Sequence, residues 1–399
     1  MKEQKSKKGK KGNGEGCIRQ RKDGKWEAII TTGYDDNGRQ KRKFFYGKTR
    51  KEVADKLYEA TGYQKQGLTV NDNKYTVSDW LDKWLWDYKR HNIKPRTFES
   101  YDSNINNYIK PAIGKIKLTD LNVDHVQGLI KCLYDRKLTR SITCVNTTLK
   151  SALKQAVKNG LIPRNVCECV SLPKQTPKKE VQVLTPEEQA RLQEVIKEHE
   201  LYPAFLLLLT TGVRLGELLA LTWKTVDFKE NSIKITKNIQ RIHDYDEKTK
   251  KKLKSRLVIG TPKSEKSIRT IPMVDIMAPV LKSHKNNQGR KRLQMGTFYN
   301  NNDLVFATET GTPIEPRNFS RTFKKLLKKA EISTDINVHA MRHNYATRGL
   351  ENGIDLKVLQ ELLGHSSVKI TGDTYSHVLP DKKRESVKKL NGVFTIRNT

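Results

Sequence analysis

The spacing of apolar positions changes along this chain and divides it into stretches of different character. Between Cys17 and Gly47 the short β-rich runs "CIRQR", "KWEAIITTGY" and "KRKFFYG" are separated by "KDGK" and "DDNGRQ". Asp-Gly and Asn-Gly between such runs favour tight hairpins, so the pattern predicts a three-stranded antiparallel meander. A helix follows at Thr49: in "TRKE" the threonine hydroxyl is placed to accept from the Glu52 amide while Glu52 reaches back, and Val53 and Leu57 form an apolar stripe.

From Tyr75 to about Leu172 the period is helical. "TVSDWLDKWLWDY" brings Trp80, Leu81, Trp84, Leu85 and Tyr88 to one face, and "FESYDSNINNYI" does the same for Phe98, Tyr101, Ile105, Tyr108 and Ile109. "SITCVNTTLKSALKQAVKNG" repeats it with Ile142, Val145, Leu149, Leu153, Ala156 and Val157, ending at a C-capping Gly160. Aromatic residues at this spacing are core residues first, and four helices on short loops make a bundle.

"PKQTPKKEVQV", residues 173–183, is punctuated by proline and charge and reads as an interdomain linker. Beyond it, "TPEE" offers Thr185 as N-cap, Pro186 at the first helical position and Glu188 to complete a capping box. The rest predicts mostly helix with one small sheet around residues 231–272, where "SIKIT", "RLVIG" and "SIRTIP" alternate. The expected fold is therefore multidomain α+β. A disordered basic arm (1–16) precedes a small three-stranded sheet plus helix (17–70), a helical bundle (75–172), the linker, and a mainly α domain with a small antiparallel sheet (184–399).

Charge narrows the choice of partner. The 399 residues hold 77 Lys+Arg against 44 Asp+Glu, a formal net charge of +33, and such a surplus attracts polyanions. Nucleic acid leads and an anionic membrane surface comes second. The membrane reading weakens because the longest apolar run, "AFLLLL" at 204–209, falls short of the ~18 residues a span requires. "MKEQKSKKGKKGNGEG" has the charge of a signal peptide without its apolar stretch, which points to a cytoplasmic protein. The first small sheet interleaves Trp26, Phe44, Phe45 and Tyr46 with basic residues; it reads as a DNA-docking face, with a solvated charge face as the alternative. Five cysteines without paired C-x-x-C spacing read as reduced thiols, and "CEC" at 167–169 has no second pair to complete a metal site.

Candidate chemistry lies in the last domain. "TTGVRLGELLALTW" puts Arg214 at the head of an apolar helix, where the alternative is a surface pair with Glu217 at i,i+3. "GTPKSEKSIRTI" puts Lys263 in a turn between strand-like runs. "VHAMRHNYATRGL" sets His339 and Arg342 on one helical face; His339 and His343 have zinc-like i,i+4 spacing, but the glutamate of H-E-x-x-H is missing. "LLGHSSVKITGDTYSHVLP" ends a helix at Gly364 and places Tyr375 ten residues beyond His365. Two guanidiniums suit the anionic oxygens of a phosphodiester, and a tyrosine, with a pKa near 10, becomes a nucleophile only beside a base or strong positive charge.

Taken in order, the arginine of "TGVRLGELLAL", the lysine of "TPKSEKS", "HAMRH", "LLGH" and "TYSHV" resemble the tyrosine recombinase (integrase) family, most of all integrases of conjugative transposons. The resemblance implies an arm-type DNA-binding domain at 17–70, a core-binding domain at 75–172 and a catalytic domain from 184. It implies that Arg214 and Arg342 hold the scissile phosphate, that Lys263 protonates the leaving 5′-hydroxyl, and that His339 assists proton transfer from the nucleophile. His365 would hydrogen-bond the phosphate, and Tyr375 would form a 3′-phosphotyrosine. No metal or other cofactor is required, since the energy of the broken ester is kept in the protein bond. The implied partners are double-stranded DNA attachment sites, three further copies of the chain in a tetramer working through a Holliday junction, and an excisionase as accessory. The tail "ESVKKLNGVFTI", with Val387, Leu390 and Phe394, resembles the segment that docks on a neighbouring subunit. A type IB topoisomerase would share the catalytic residues, and a DNA-binding regulator would keep only the charge. The departure from the family pattern is Gly372, where similar sequences carry an aliphatic residue.

Overall fold

The computed structural model describes residues 16–35, 37–65, 75–174, 182–262 and 267–375. The basic arm, most of the linker, Lys263, and the tail with Val387, Leu390 and Phe394 lie outside the described residues. The chain divides into two compact units, Met1–Lys178 and Lys179–Thr399.

In the first unit, strands β1 (Cys17–Gln20), β2 (Trp26–Tyr34) and β3 (Gln40–Gly47) form the expected meander in the order β1-β2-β3, all antiparallel. The second turn is held by Asp35, whose Oδ1 accepts from the amides of Asn37 and Arg39 at 3.0 and 2.7 Å. Helix α1 (Arg50–Lys65) covers one face of the sheet, burying Ala28, Ile30, Val53, Leu57 and Ala60 together. Its cap differs from the expected one. Thr49 Oγ1 accepts from the Glu52 amide at 3.2 Å, but the Glu52 carboxylate accepts from the Lys48 amide and from Lys56 Nζ rather than from Thr49. The opposite face leaves Phe44 and Tyr46 exposed, with the Arg21 guanidinium 5.4 Å from the Tyr46 ring centroid.

The bundle is built from α2 (Val77–Lys83), α3 (Pro95–Asn104), α4 (Lys110–Ile113), α5 (Val123–Asp135) and α6 (Thr139–Lys158). Two stretches of wider π-type winding, Trp84–Lys89 and Ile105–Ile109, continue α2 and α3 without a break. Trp80, Leu81, Trp84, Leu85, Phe98, Ile105 and Ile109 are all buried, and Trp80 Nε1 donates to the Ala152 carbonyl at 3.0 Å. At the end of α6 the Leu161 amide returns to the Ala156 carbonyl across Gly160, as the C-cap predicts.

The second unit opens with the reciprocal capping box: Thr185 Oγ1 accepts from the Glu188 amide at 3.1 Å and Glu188 Oε2 from the Thr185 amide at 2.9 Å. It starts α7 (Pro186–Lys197), which is followed by the buried α8 (Tyr202–Thr211) and the single turn α9 (Leu215–Leu218). The expected single sheet is two. Strands β4 (Val226–Asp227), β5 (Ser232–Ile235) and β8 (Arg269–Pro272) form one in the order β4-β5-β8, while among the described residues β6 (Asn238–Tyr245) and β7 (Lys252–Gly260) pair only with each other. "SIKIT" therefore pairs with "SIRTIP", and "RLVIG" belongs to a separate hairpin. Ile233, Ile235 and Ile271 join the main core, whereas β7 alternates exposed and half-buried positions. Helices α10 (Met277–Met295), α11 (Pro316–Lys329), α12 (His339–Glu351), α13 (Leu356–Leu363) and α14 (Val368–Tyr375) complete the unit. Among the described residues no helix is long and apolar enough to cross a membrane.

Candidate active site

The site is assembled around the C-terminus of α13. Asp355 caps the other end, its carboxylate accepting from the amides of Lys357 and Val358. At the C-terminus Gly364 turns the chain with φ +65°. A helix end leaves its last carbonyls without intrahelical donors and carries partial negative charge, so cations gather there. Three guanidiniums do so on three successive carbonyls. Arg269 Nε donates to Leu362 O at 2.6 Å, Arg342 Nη2 to Leu363 O at 2.6 Å, and Arg214 Nη2 to Gly364 O at 3.3 Å.

Each arginine reaches this point from a different element. Arg214 precedes α9 directly, in the short connection opened by Gly212, whose φ of +60° ends α8. Arg342 lies on the first turn of α12 and is 2% exposed; its Nη1 donates to Gly212 O at 2.9 Å, tying α12 to the residue just before the Arg214 segment. Arg269 opens β8. A single buried carboxylate joins two of the three: Glu217 accepts from Arg214 Nη1 at 2.8 Å and from Arg269 Nη2 at 2.9 Å. Burial alone would raise the Glu217 pKa, but hydrogen bonds and charge from Arg269 and Arg214 outweigh it and hold the carboxyl below its ordinary range. The alternative pairing of Arg214 with Glu217 thus forms, but on a carboxylate 3% exposed rather than at the helix surface.

His339 starts α12, with its amide donating to Asn337 Oδ1 at 2.8 Å, and its ring meets His343 edge to face at 4.8 Å between centroids. Burial, then the charges of Arg342 and Arg214, push the His339 pKa down. His365 follows Gly364, and its Nδ1 lies 2.9 Å from Thr371 Oγ1 of α14. Burial followed by Arg342 and Arg214 pushes His365 down to about 4. His365 is therefore neutral at pH 7, and the surroundings of His339 favour its neutral form. In the tautomer whose Nδ1 accepts from the Thr371 hydroxyl, a neutral His365 carries its proton on Nε2.

Four of the six expected residues, Arg214, His339, Arg342 and His365, thus converge on one helix terminus. Tyr375 is the last residue of α14, which packs beside α13; the backbone alone is described there. Lys263 stands outside the described residues, between β7 and β8. The sequence offers Arg269 only as part of a strand, and Glu217 only in the alternative reading, as a surface partner of Arg214. The signal for both was present: charged side chains inside otherwise apolar runs, "LGELLAL" and "SIRTIP".

Two family patterns match the chain, "Phage integrase family" over residues 182–382 and "Phage integrase, N-terminal SAM-like domain" over residues 76–134. A tyrosine recombinase XerC-like protein of Caldanaerobacter subterraneus subsp. tengcongensis is 35% identical over 379 residues, 92% of this chain and 96% of that one. The ICEBs1 integrase of Bacillus subtilis is 28% identical, over 75% of this chain and 79% of that one. Among solved structures, the Tn1549 transposon integrase in complex with a circular intermediate DNA shares the fold with a TM-score of 0.65 at 20% identity, covering 79% of this chain and all of that one. The lambda integrase tetramer bound to a Holliday junction gives 0.56 at 20% identity, over 90% of this chain and 94% of that one. With this fold, and with a relative so similar over nearly its whole length, the chain belongs to the phage integrase family of tyrosine recombinases.

Proposed function

We propose that this protein is a site-specific DNA recombinase in which Tyr375 is the nucleophile and Arg214, Lys263, His339, Arg342 and His365 serve it. The observation that carries the reading is that Arg214 and Arg342 meet on adjacent carbonyls, beside two imidazoles whose surroundings favour the neutral form. A guanidinium presents its N–H donors as a planar fork, a geometry that suits the oxygens of a phosphodiester.

Tyr375 Oη attacks phosphorus and its proton passes to the neutral His339. The P–O5′ bond breaks, Lys263 gives its proton to the leaving 5′-oxygen, and the 3′-phosphate stays on the tyrosine. The negative charge that builds on the non-bridging oxygens is met by Arg214, Arg342 and, in the Nε2-protonated tautomer, His365. Attack by a 5′-hydroxyl from a second duplex reverses the steps and joins the strands. Two such exchanges by a tetramer, through a Holliday junction, would integrate or excise a mobile element in the cytoplasm, with an excisionase as accessory.

The domain at 17–70 would engage arm-type sites through the exposed basic face of β1–β3. The bundle at 75–172 would engage the core site with the catalytic domain beyond the linker, and the tail from Val387 to Phe394 would dock on a neighbouring copy. The test uses nicked suicide duplexes of candidate attachment sites. Wild type should form a covalent DNA adduct mapping to Tyr375 and Tyr375→Phe none; an adduct that persists in Tyr375→Phe sinks the mechanism.

A further inference from the structure

The two arginines assigned to the phosphate do not account for the third guanidinium on the same helix end. The Arg269 side chain is 7% exposed, and each of its nitrogens donates to a protein group. Its guanidinium makes three bonds in three directions: to Leu362 O, to Ser267 O at 3.1 Å, and to Glu217 Oε2. The glycine turn is fitted around it, since a Cβ on Gly364 would stand 3.1 Å from Arg269 Cδ and Nη1. Glu217 in turn holds the Arg214 side chain through Nη1 and accepts from the Arg214 amide at 3.1 Å.

We propose that Arg269 is a positioning residue for DNA cleavage: through Glu217 it fixes the Arg214 guanidinium, and through Leu362 O it fixes the helix end that presents His365, so that both meet the same phosphate. Arg214 is more than a third exposed on its side chain and the Glu217 carboxylate is its shared buried anchor. Without Arg269 the Glu217 carboxylate would keep only bonds from Arg214 itself, its amide and its Nη1, and so would lose its tie to any other element. Arg269 supplies that tie, and its Nε bond to Leu362 O joins that anchor to the backbone two residues before Gly364 and three before His365. A planar fork that bonds in three directions is a geometry lysine or glutamine does not reproduce. Displacing a phosphate-binding group by about 1 Å is enough to cost on the order of 100-fold in rate.

This inference rests on the reading of Arg214 as a phosphate ligand, and the experiment separates the two. First-order cleavage rates are measured for wild type, Arg214→Ala, Arg269→Lys and Arg269→Gln, with the full chain, on a suicide duplex carrying an ordinary scissile phosphate. They are repeated on the same duplex with a methylphosphonate at that position, which is neutral and asks less of a guanidinium. DNA affinity and thermal melting are recorded for each variant. Arg269→Gln should cleave the ordinary phosphate about 100-fold slower than wild type with DNA affinity within about threefold, and the deficit should shrink at least about tenfold on the methylphosphonate. Arg269→Lys, which keeps the charge but loses the fork, should fall between. Equal deficits on both substrates, or a deficit matched by the unfolded fraction, would overturn the positioning role. If Arg214→Ala itself loses equally on both substrates, the reading of Arg214 fails instead.

Discussion

Replacing Gly372 by alanine adds one methyl group to α14, five positions into an eight-residue helix that ends at Tyr375. The neighbour such a methyl meets is Leu356 Cδ2 at 3.8 Å, an ordinary van der Waals contact, so no steric cost opposes the change. Glycine inside a helix costs about 1 kcal/mol relative to alanine, and the gain should appear in full as a roughly fivefold lower population of opened α14. The hypothesis under test is that α14 opens before strand cleavage, motivated by a glycine where similar sequences carry an aliphatic residue. Hydrogen exchange of the α14 amides in DNA-free protein reads the opening, and single-turnover cleavage of a nicked suicide duplex reads its use. Protection should rise about fivefold while cleavage slows by up to the same factor. Unchanged protection refutes the steric and helical reasoning; higher protection with an unchanged rate refutes the place of opening on the reaction path.

Gly212→Ala should do the opposite. A left-handed residue with a Cβ costs roughly 1–2 kcal/mol, and here that Cβ would stand 2.5 Å from Tyr345 Cδ1, so melting should drop by several degrees. Because Gly212 O holds Arg342 Nη1, cleavage should suffer more than DNA affinity; an unchanged melting point would contradict the packing. Stability should also depend on pH in a defined sense. Burial, then His339 and Arg342, push His343 down to about 4, and His365 is likewise pushed down to about 4, against an ordinary value of 6.5. The unfolded chain then binds more protons between about pH 4 and 6.5, so this stability is complete above pH 6.5 and lost as pH falls toward 4. Thermal melting at pH 7.5, 6.5 and 5.5 should fall with pH, with a shallower slope in His343→Gln, and equal slopes would contradict it.

The legible parts of this fold are those written in short-range chemistry. Asp-Gly and Asn-Gly mark the turns of β1–β3, Thr185, Pro186 and Glu188 mark the start of α7, and the spacing of Trp80, Trp84 and Leu85 marks a buried face. Strand partnership is written elsewhere. "SIKIT", "RLVIG" and "SIRTIP" all alternate, but alternation says only that a segment is extended, while pairing is decided by which face Ile233, Ile235 and Ile271 bury. The π-type winding at Trp84–Lys89 leaves no mark in the apolar period at all. In the site, Arg214, His339, Arg342 and His365 stand out because charge interrupts apolar patterns near glycine turns. Arg269 does the same within "SIRTIP", yet its task depends on the carbonyl of Leu362, 93 positions away, and no local pattern carries that.

The helix end shared by three guanidiniums also sets a charge balance. Carbonyl dipoles orient arginines without neutralising them, so among the described residues Arg214, Arg269 and Arg342 face one ionised carboxylate, Glu217, and two uncharged imidazoles. The pocket is left with two surplus positive charges. A resting phosphodiester brings a single negative charge, whereas the five-coordinate species formed by tyrosine attack approaches two. With the roles proposed above, a pocket held near +2 by one carboxylate and the helix-end carbonyls is matched to the short-lived dianion more closely than to the DNA it first binds, which is the difference that lowers a barrier.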